Sequence, residues 1–520
     1  MQLDALVVGL SSRIRAALGG LILLASVCCG AANGQGTATI WPTVQWQTST
    51  PEEQGMDSAD LARLVAFGTT RSFDSLLVAR HGRIVLDAYY APYSADIPHA
   101  VNSTTKAVVS TLTAMVYKDG LFDRLDHPVL DLLSDRSVAD VDERKKGMTV
   151  QNLLNMTSGL DWDEGFEGGR EQSMRDLGVS PDWVQFILDR PMAHAPGEVF
   201  YYNSGNSHLL SAIVSKLTGR STADYANERL FGPLGIARPF WRWDPQQLSI
   251  GGFGLALRPR DMAKIGYLYL RNGEWEGKRL LPSDFLDAVG HATISMNARF
   301  DPALRYANQF WAIPDKHVYM AVGYHCQVIM VLPERDIVAV MTARDFCPFG
   351  KLADDISGAV RSDQALPVNS AATDQLAKAI DEVSIEKATK VGATPATASV
   401  ISGKTYRFSD NALGIKSLAL FLTDENPRYK VETSTGDPAR RRLDGPIGLD
   451  GLYRKGTPGF LGVRAAKGTW QNEQTFVVDF QYIGLGEAST WTFTFDGDKA
   501  TLRGKARNGR EASAEGVAGG

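Results

Sequence analysis

The chain has 520 residues, 44% of them hydrophobic and 22% charged, and a formal net charge of −5. Its length implies two to four domains, and its composition fits a folded globular protein rather than a disordered one. The slight acidity gives no footing for nucleic-acid binding: the one basic run near the C-terminus, Arg440-Arg441-Arg442, is only three residues long and lies between Asp437 and Asp444.

At the N-terminus, Arg13 and Arg15 precede an apolar stretch over residues 16–27, and Gly30, Ala31 and Ala32 follow. This order is the pattern of a secretory signal peptide over residues 1–32, and it predicts a periplasmic or secreted protein. The apolar stretch is short for a membrane span, so no firm membrane association is expected beyond the signal peptide. Cys28 and Cys29 raise a lipid anchor as an alternative, although Val27 is a poor neighbour for a lipidation cut. A cut near Ala32 leaves Cys326 and Cys347. Two cysteines can pair in an oxidising compartment; their spacing leaves the pairing open, as the sequence leaves the oligomeric state open.

In chain order, residues 33–55 read as an extended entry segment. Two apolar runs, 75–80 and 83–89, flank His81-Gly82 and predict a hairpin. Residues 104–118 read as a buried helix stopped by Asp119-Gly120. A second helix is expected from Thr149, a capping residue, to Met156. Residues 161–180 form a long polar stretch with Gly165, Gly168 and Gly169, and such loops are often functional. Residues 202–217 are apolar and stop at Gly219. A helix is expected over 261–270, antiparallel strands over 318–320, 328–332 and 337–342, and a closing helix over 352–360. Residues 33–362 would thus form one α+β domain. Residues 363–399, rich in Ala, Thr, Ser and Pro, read as a linker with one helix over 373–383. Residues 400–520 carry short β-type runs separated by Gly and Asp-Gly turns, the pattern of a small all-β barrel or sandwich. No internal repeat and no metal-spaced His/Cys cluster stands out, so neither a metal nor a cofactor is expected.

Chemistry concentrates at Ser103-Thr104-Thr105-Lys106, at the front of the helix over 104–118. Residues three apart share a helix face, so the Ser103 hydroxyl and the Lys106 amine would stand side by side. A serine becomes a strong nucleophile only when a base takes its proton, and a lysine in a dry pocket has a lowered pKa suited to that task. A helix start also offers N–H groups to a developing oxyanion. The second element is Tyr202-Asn203-Ser204, after Pro196-Gly197. The third is Gly323-Tyr324-His325-Cys326-Gln327, expected at the start of a strand. Trp162, Asp163 and Glu164 open the polar loop and are candidates to shape a pocket, as are Trp241 and Trp243.

Taken together, these elements resemble the serine β-lactamase and penicillin-binding superfamily. The likeness is greatest to its class C-like branch of esterases, D-amino-acid peptidases and 6-aminohexanoate-dimer hydrolases. Supporting segments are Pro51-Glu52-Glu53-Gln54-Gly55-Met56, Leu153-Leu154-Asn155-Met156-Thr157-Ser158-Gly159-Leu160 and Gly252-Phe253-Gly254-Leu255. The resemblance covers roughly residues 45–362. It implies an antiparallel sheet flanked by helices plus an all-helical subdomain. It implies Ser103 as nucleophile, Lys106 and Tyr202 sharing proton transfer in either order, and the amides of Ser103 and Gln327 as oxyanion hole. The family's spacing to Gly219 selects Tyr202 over Tyr201, which becomes a core or rim aromatic. It places Ser204 where most relatives carry asparagine, although the nylon-oligomer hydrolases are similar in having serine. Ser204, Tyr324, His325, Cys326 and Trp162 are the implied substrate-binding residues. The triplet Tyr324-His325-Cys326 departs from the family's Lys-Thr-Gly: the lysine that holds a substrate carboxylate is missing, and Cys326 adds bulk in place of glycine. The expected activity is therefore hydrolysis of an ester or amide in a small acyl substrate. A penicillin-binding protein or β-lactamase, and a catalytically silent binding protein on the same fold, are the alternatives.

Overall fold

A computed structural model describes residues 39–165, 170–296, 300–434, 441–459 and 462–519. The expected signal peptide, residues 1–32, lies outside them. The hairpin forms where expected: strands Phe73–Arg80 and Arg83–Tyr89 are joined by His81 and Gly82, both at positive φ (51° and 75°). It supplies two strands of a nine-stranded sheet. Ile337–Ala343, Gln327–Leu332, Val318–Gly323, Phe310–Ile313, Arg305–Ala307 and Ile294–Ser295 continue it in that order beyond Phe73–Arg80. All its pairings are antiparallel except that of the edge strand Gln47–Thr48.

Side chains alternate across a strand, and both faces of this sheet are covered. Leu77, Ala321, Ile329 and Val338 face one cluster, where they meet Val108 and Leu112 of helix Thr104–Lys118 and Ile265 of helix Pro259–Leu270. Leu76, Val78, Met330 and Ala339 face a second cluster with Leu61 and Val65 of helix Ser58–Thr70 and Ile356 of helix Phe349–Gly358. Between Thr104–Lys118 and Pro259–Leu270 the chain builds a helical lobe. Its helices include Val150–Leu154, Gln172–Val179, Trp183–Leu188 and Ser204–Thr218.

The stretch over 363–399 is not simply a linker. Its helix, Ser370–Ser384, packs on Ser58–Thr70, with Leu376 buried and Ile380 and Val383 against the second cluster. It forms an outer layer of the first domain, because a Leu376/Ala379/Ile380/Val383 stripe at helical spacing needs a partner face.

Residues beyond 404 form a ten-stranded antiparallel sheet whose two edge strands, Arg442–Pro446 and Arg454–Lys455, come to lie beside one another. The sheet is therefore nearly closed into a barrel around Phe476, Phe493, Leu502 and Tyr406. It seats on the first domain through a small core of Tyr93, Ile97, Val463, Ala465 and Ile483. The turn after Thr475–Ile483 reaches the chain just before Ser103: the Ala100 amide donates to the Gly484 carbonyl at 2.6 Å. Arg507 donates to the Arg344 carbonyl and, at 3.3 Å, to that of Gly486. Gly484 has φ +92°, and a Cβ there would stand 2.3 Å from the Pro98 carbonyl oxygen. Gly484→Ala is therefore expected to destabilise the folded chain by about 1–3 kcal/mol, read as a lower Tm in thermal unfolding; an unchanged Tm would mean that this turn is not seated as described.

Candidate active site

Ser103 is the N-cap of helix Thr104–Lys118, in αR geometry (φ −67°, ψ −9°). The turn is tight: the amides of Thr104, Thr105 and Lys106 donate to the carbonyls of Val101, Asn102 and Ser103. The N–H groups expected to be free at this helix start are thus spent on the turn, and the Ser103 amide lies outside that set. One helical turn on, Lys106 is 1% exposed and its Nζ stands 3.0 Å from Ser103 Oγ. Nζ also donates to Ser204 Oγ at 2.9 Å and to the Gly252 carbonyl at 2.8 Å. Burial lowers the lysine pKa to about 8, against an opposing pull from the Glu164 charge.

Ser204 opens helix Ser204–Thr218 because Asn203 caps it, its side chain accepting from the Gly205 and Asn206 amides; Gly219, at φ 66°, ends it. Tyr202 therefore sits at a fixed point just before the cap. It is buried, its hydroxyl is hydrogen-bonded with Ser103, and its ring centroid lies 4.8 Å from Lys106 Nζ. Burial first, and the nearby Glu164 charge second, push its pKa well above the ordinary tyrosine value. Tyr201 packs at the edge of the first core cluster.

Glu164 is the residue that sequence reasoning underrated. Its carboxylate accepts from the Ser204 amide at 2.6 Å, from the Ser204 hydroxyl, and from Trp162 Nε1 at 2.9 Å. Asp163 braces its loop by accepting from the amides of Gly165 (2.9 Å), Arg170 (3.0 Å) and Gln172 (3.0 Å). Trp162, expected to bind substrate, is instead 3% exposed and holds Glu164 from behind. Trp241 is a core residue, and Trp243 is exposed beside Phe240.

Gly252 reaches Lys106 because the chain there presses against helix Ser204–Thr218. A Cβ on Gly251 would lie 2.0 Å from the Ser207 carbonyl oxygen, and one on Gly252 2.8 Å from Ser204 Cβ. His208 fixes this contact. Its Nδ1 accepts from the Gly251 amide at 3.3 Å, which leaves Nε2–H to donate to the buried Asp244 at 3.1 Å.

The third element departs from expectation. Tyr324, His325 and Cys326 form the turn between strands Val318–Gly323 and Gln327–Leu332 rather than the start of a strand, with His325 and Cys326 at φ 60° and 63°. Gln327 opens the following strand, and its carbonyl accepts from Thr104 Oγ1 at 2.6 Å, which ties that strand to the helix bearing Ser103. Cys326 is bonded to Cys347. The half-buried His325 ring lies 3.9 Å from that of the exposed Tyr324, and Asn102 Nδ2 donates to the Tyr324 carbonyl at 3.0 Å. A cavity of about 660 Å³ opens in front of Ser103 and Tyr202, walled by Tyr324, Cys326, Cys347 and several aromatic side chains. Of the expected site residues, the structure joins Ser103, Lys106, Tyr202 and Ser204 in one hydrogen-bonded group, with Tyr324 and Cys326 along the cavity.

The structure thus gathers a serine, a lysine and a tyrosine at the junction of an antiparallel sheet and a helical lobe. The Beta-lactamase family model matches residues 61–356, more than half of the chain, and the chain belongs to that family. It is 23% identical over 285 residues to the 6-aminohexanoate-dimer hydrolase of Paenarthrobacter ureafaciens, covering 51% of this chain and 71% of that one. It is 28% identical over 167 residues to the D-aminopeptidase of Brucella canis, a match spanning 31% of each chain. Among solved structures it is similar to EstCE1, a hydrolase with promiscuous acyltransferase activity (17% identity, 59% of this chain and 99% of that one, TM-score 0.48). The family is one of serine hydrolases, and this chain is a serine hydrolase.

The Glu164 charge raises the Lys106 pKa that burial lowers. Glu164→Gln keeps the shape and one acceptor oxygen but removes the charge, so the lysine pKa should fall. The pH dependence of Ser103 labelling by a fluorophosphonate should accordingly move to lower pH. A shift to higher pH would contradict this electrostatic assignment.

Proposed function

We propose that this protein is an exported hydrolase that cleaves an ester or amide through an acyl-enzyme on Ser103, with Lys106 as base and Tyr202 as acid. The observation that carries the reading is the set of partners around Lys106 Nζ. A neutral amine has two N–H groups and one lone pair. The Gly252 carbonyl can only accept. The Ser204 hydroxyl gives its proton to Glu164 and so accepts from Lys106. Both N–H groups are then committed, and the lone pair is directed at Ser103 Oγ, 3.0 Å away. The pKa directions agree: a lysine near 8 supplies neutral amine at physiological pH, whereas a tyrosine pushed upward stays protonated.

In this reading Lys106 takes the Ser103 proton as Oγ attacks the acyl carbon. The oxyanion is held by the amides of Ser103 and Gln327. Tyr202 gives its proton to the leaving atom, and the protonated Lys106, 4.8 Å from the Tyr202 ring centroid, is the proton source that returns the tyrosine to its neutral form. Water then resolves the acyl-enzyme by the same steps in reverse. The turn Tyr324-His325-Cys326 offers no lysine for a substrate carboxylate, which favours neutral esters and amides over penicillins. Export is supported by the Cys326–Cys347 disulfide, which suits an oxidising compartment.

Purified protein should take a fluorophosphonate on Ser103, and Ser103→Ala should abolish labelling detected by mass spectrometry; persistent labelling would refute the nucleophile. Tyr202→Phe should lower kcat by about 10²–10⁴-fold, the range for a lost acid–base group, and Tyr201→Phe by far less. The opposite ranking in steady-state assays would overturn the tyrosine assignment.

A further inference from the structure

We infer that the cavity in front of Ser103 receives the leaving group of the substrate, and that this group is an apolar alcohol or amine of aryl or medium alkyl size. The inference rests on the acyl-enzyme reading and adds a substrate class to it. The cavity holds about 660 Å³, where a water takes about 30 Å³ of liquid, so a methyl or ethyl group would leave most of it unfilled. Its walls are apolar: Phe300, Trp311, Ile313, Val322 and Phe349, with the Cys326–Cys347 disulfide among them. Trp311 packs edge-on to Phe300 at 5.2 Å and to Phe349 at 6.0 Å, so this wall is a continuous aromatic surface. The charged lining residues, Asp301 and Lys351, are exposed, and Lys351 is paired with Asp355 at 2.6 Å. Apolar side chains with few polar groups are what an apolar ligand requires.

The direction follows from Tyr202. Its ring lies within 6.5 Å of both Phe300 and Trp311, and it lines the cavity together with Ser103. The atom that accepts the tyrosine proton is the leaving oxygen or nitrogen. The substituent on that atom therefore emerges beside Tyr202, into the cavity. Lys106, Ser204 and Glu164 do not line this space.

The test compares two ester series by pH-stat: ethyl, butyl and hexyl acetate against ethyl acetate, butanoate and hexanoate. Added methylenes leave the acidity of the alcohol nearly constant, so the series report fit rather than leaving-group chemistry. From ethyl to hexyl acetate, kcat/KM should rise at least about tenfold, within the roughly fourfold per methylene that full burial allows. The ethyl ester series should change by less than about threefold. Val322→Phe and, as a second and milder change, Phe349→Leu should each alter the hexyl-to-ethyl ratio within the acetate series. A gain confined to the acyl series, a gain in neither, or ratios unmoved in both variants would overturn the assignment while leaving the acyl-enzyme reading intact. Turnover of no ester at all, with Ser103 unlabelled, would overturn both.

Discussion

The whole site depends on keeping one amine dry and correctly oriented. Lys106 is buried at the junction of sheet and helical lobe, where an isolated ammonium would be costly. Three acceptors around Nζ offset that cost when the lysine is charged, and two of them still bind it when it is neutral. Much of the surrounding architecture serves those acceptors. Asn203 fixes where helix Ser204–Thr218 begins and hence where Ser204 stands. His208 and Asp244 hold Gly251, and with it the Gly252 carbonyl. Two adjacent glycines let that segment approach the helix at distances no Cβ would tolerate.

The C-terminal sheet is joined to the same arrangement. The Gly484 turn is hydrogen-bonded to Ala100, three residues before Ser103, and Arg507 bonds to Arg344 and Gly486. A Cβ on Gly486 would stand 3.9 Å from His325 Nδ1, so this turn lies close to the His325 ring. The strand-end segments on either side of Ser103 are thus bounded by a domain that contributes no residue to the hydrogen-bonded group of Ser103, Lys106, Tyr202 and Ser204. A β-lactamase-like domain with a solvent-exposed rim at these positions would leave the 99–102 segment and the 324–326 turn with fewer constraints.

The side-by-side placement of Ser103 and Lys106 was legible because an i,i+3 pair on a helix start needs no tertiary knowledge. Tyr202 was set apart from Tyr201 only by the family's spacing to Gly219, the residue that ends helix Ser204–Thr218. The hairpin at His81-Gly82 and the β-rich C-terminal region were legible because local rules govern them. What was not legible depends on partners distant in sequence. Glu164 meets Ser204 across 40 residues, from a loop that the sequence marks as pocket-shaping without showing which partner its carboxylate meets. Trp162 reads equally well as pocket or core until its ring N–H is seen on that carboxylate. The helix Ser370–Ser384 has a linker-like composition, and only the presence of Ser58–Thr70 beneath it gives its apolar stripe a use. The Tyr324-His325-Cys326 triplet was aligned to a strand by family pattern, whereas two successive positive φ values make it a turn.

The serine at 204 and the glutamate at 164 are best understood as a single unit. A hydroxyl can either donate to or accept from a neighbouring amine, so a serine alone would leave the direction of the Lys106 bond undefined. By taking the Ser204 proton, Glu164 removes one of those choices. Its charge has the opposite effect on the lysine pKa from burial, so the carboxylate fixes geometry at some expense in basic, neutral amine. An asparagine at 204 would present a carbonyl that accepts without such help, and a carboxylate at 164 would then add charge with less geometric return. On this argument the two positions constrain each other: Ser204 gives Glu164 its geometric function, and Glu164 makes Ser204 a dependable acceptor for Lys106.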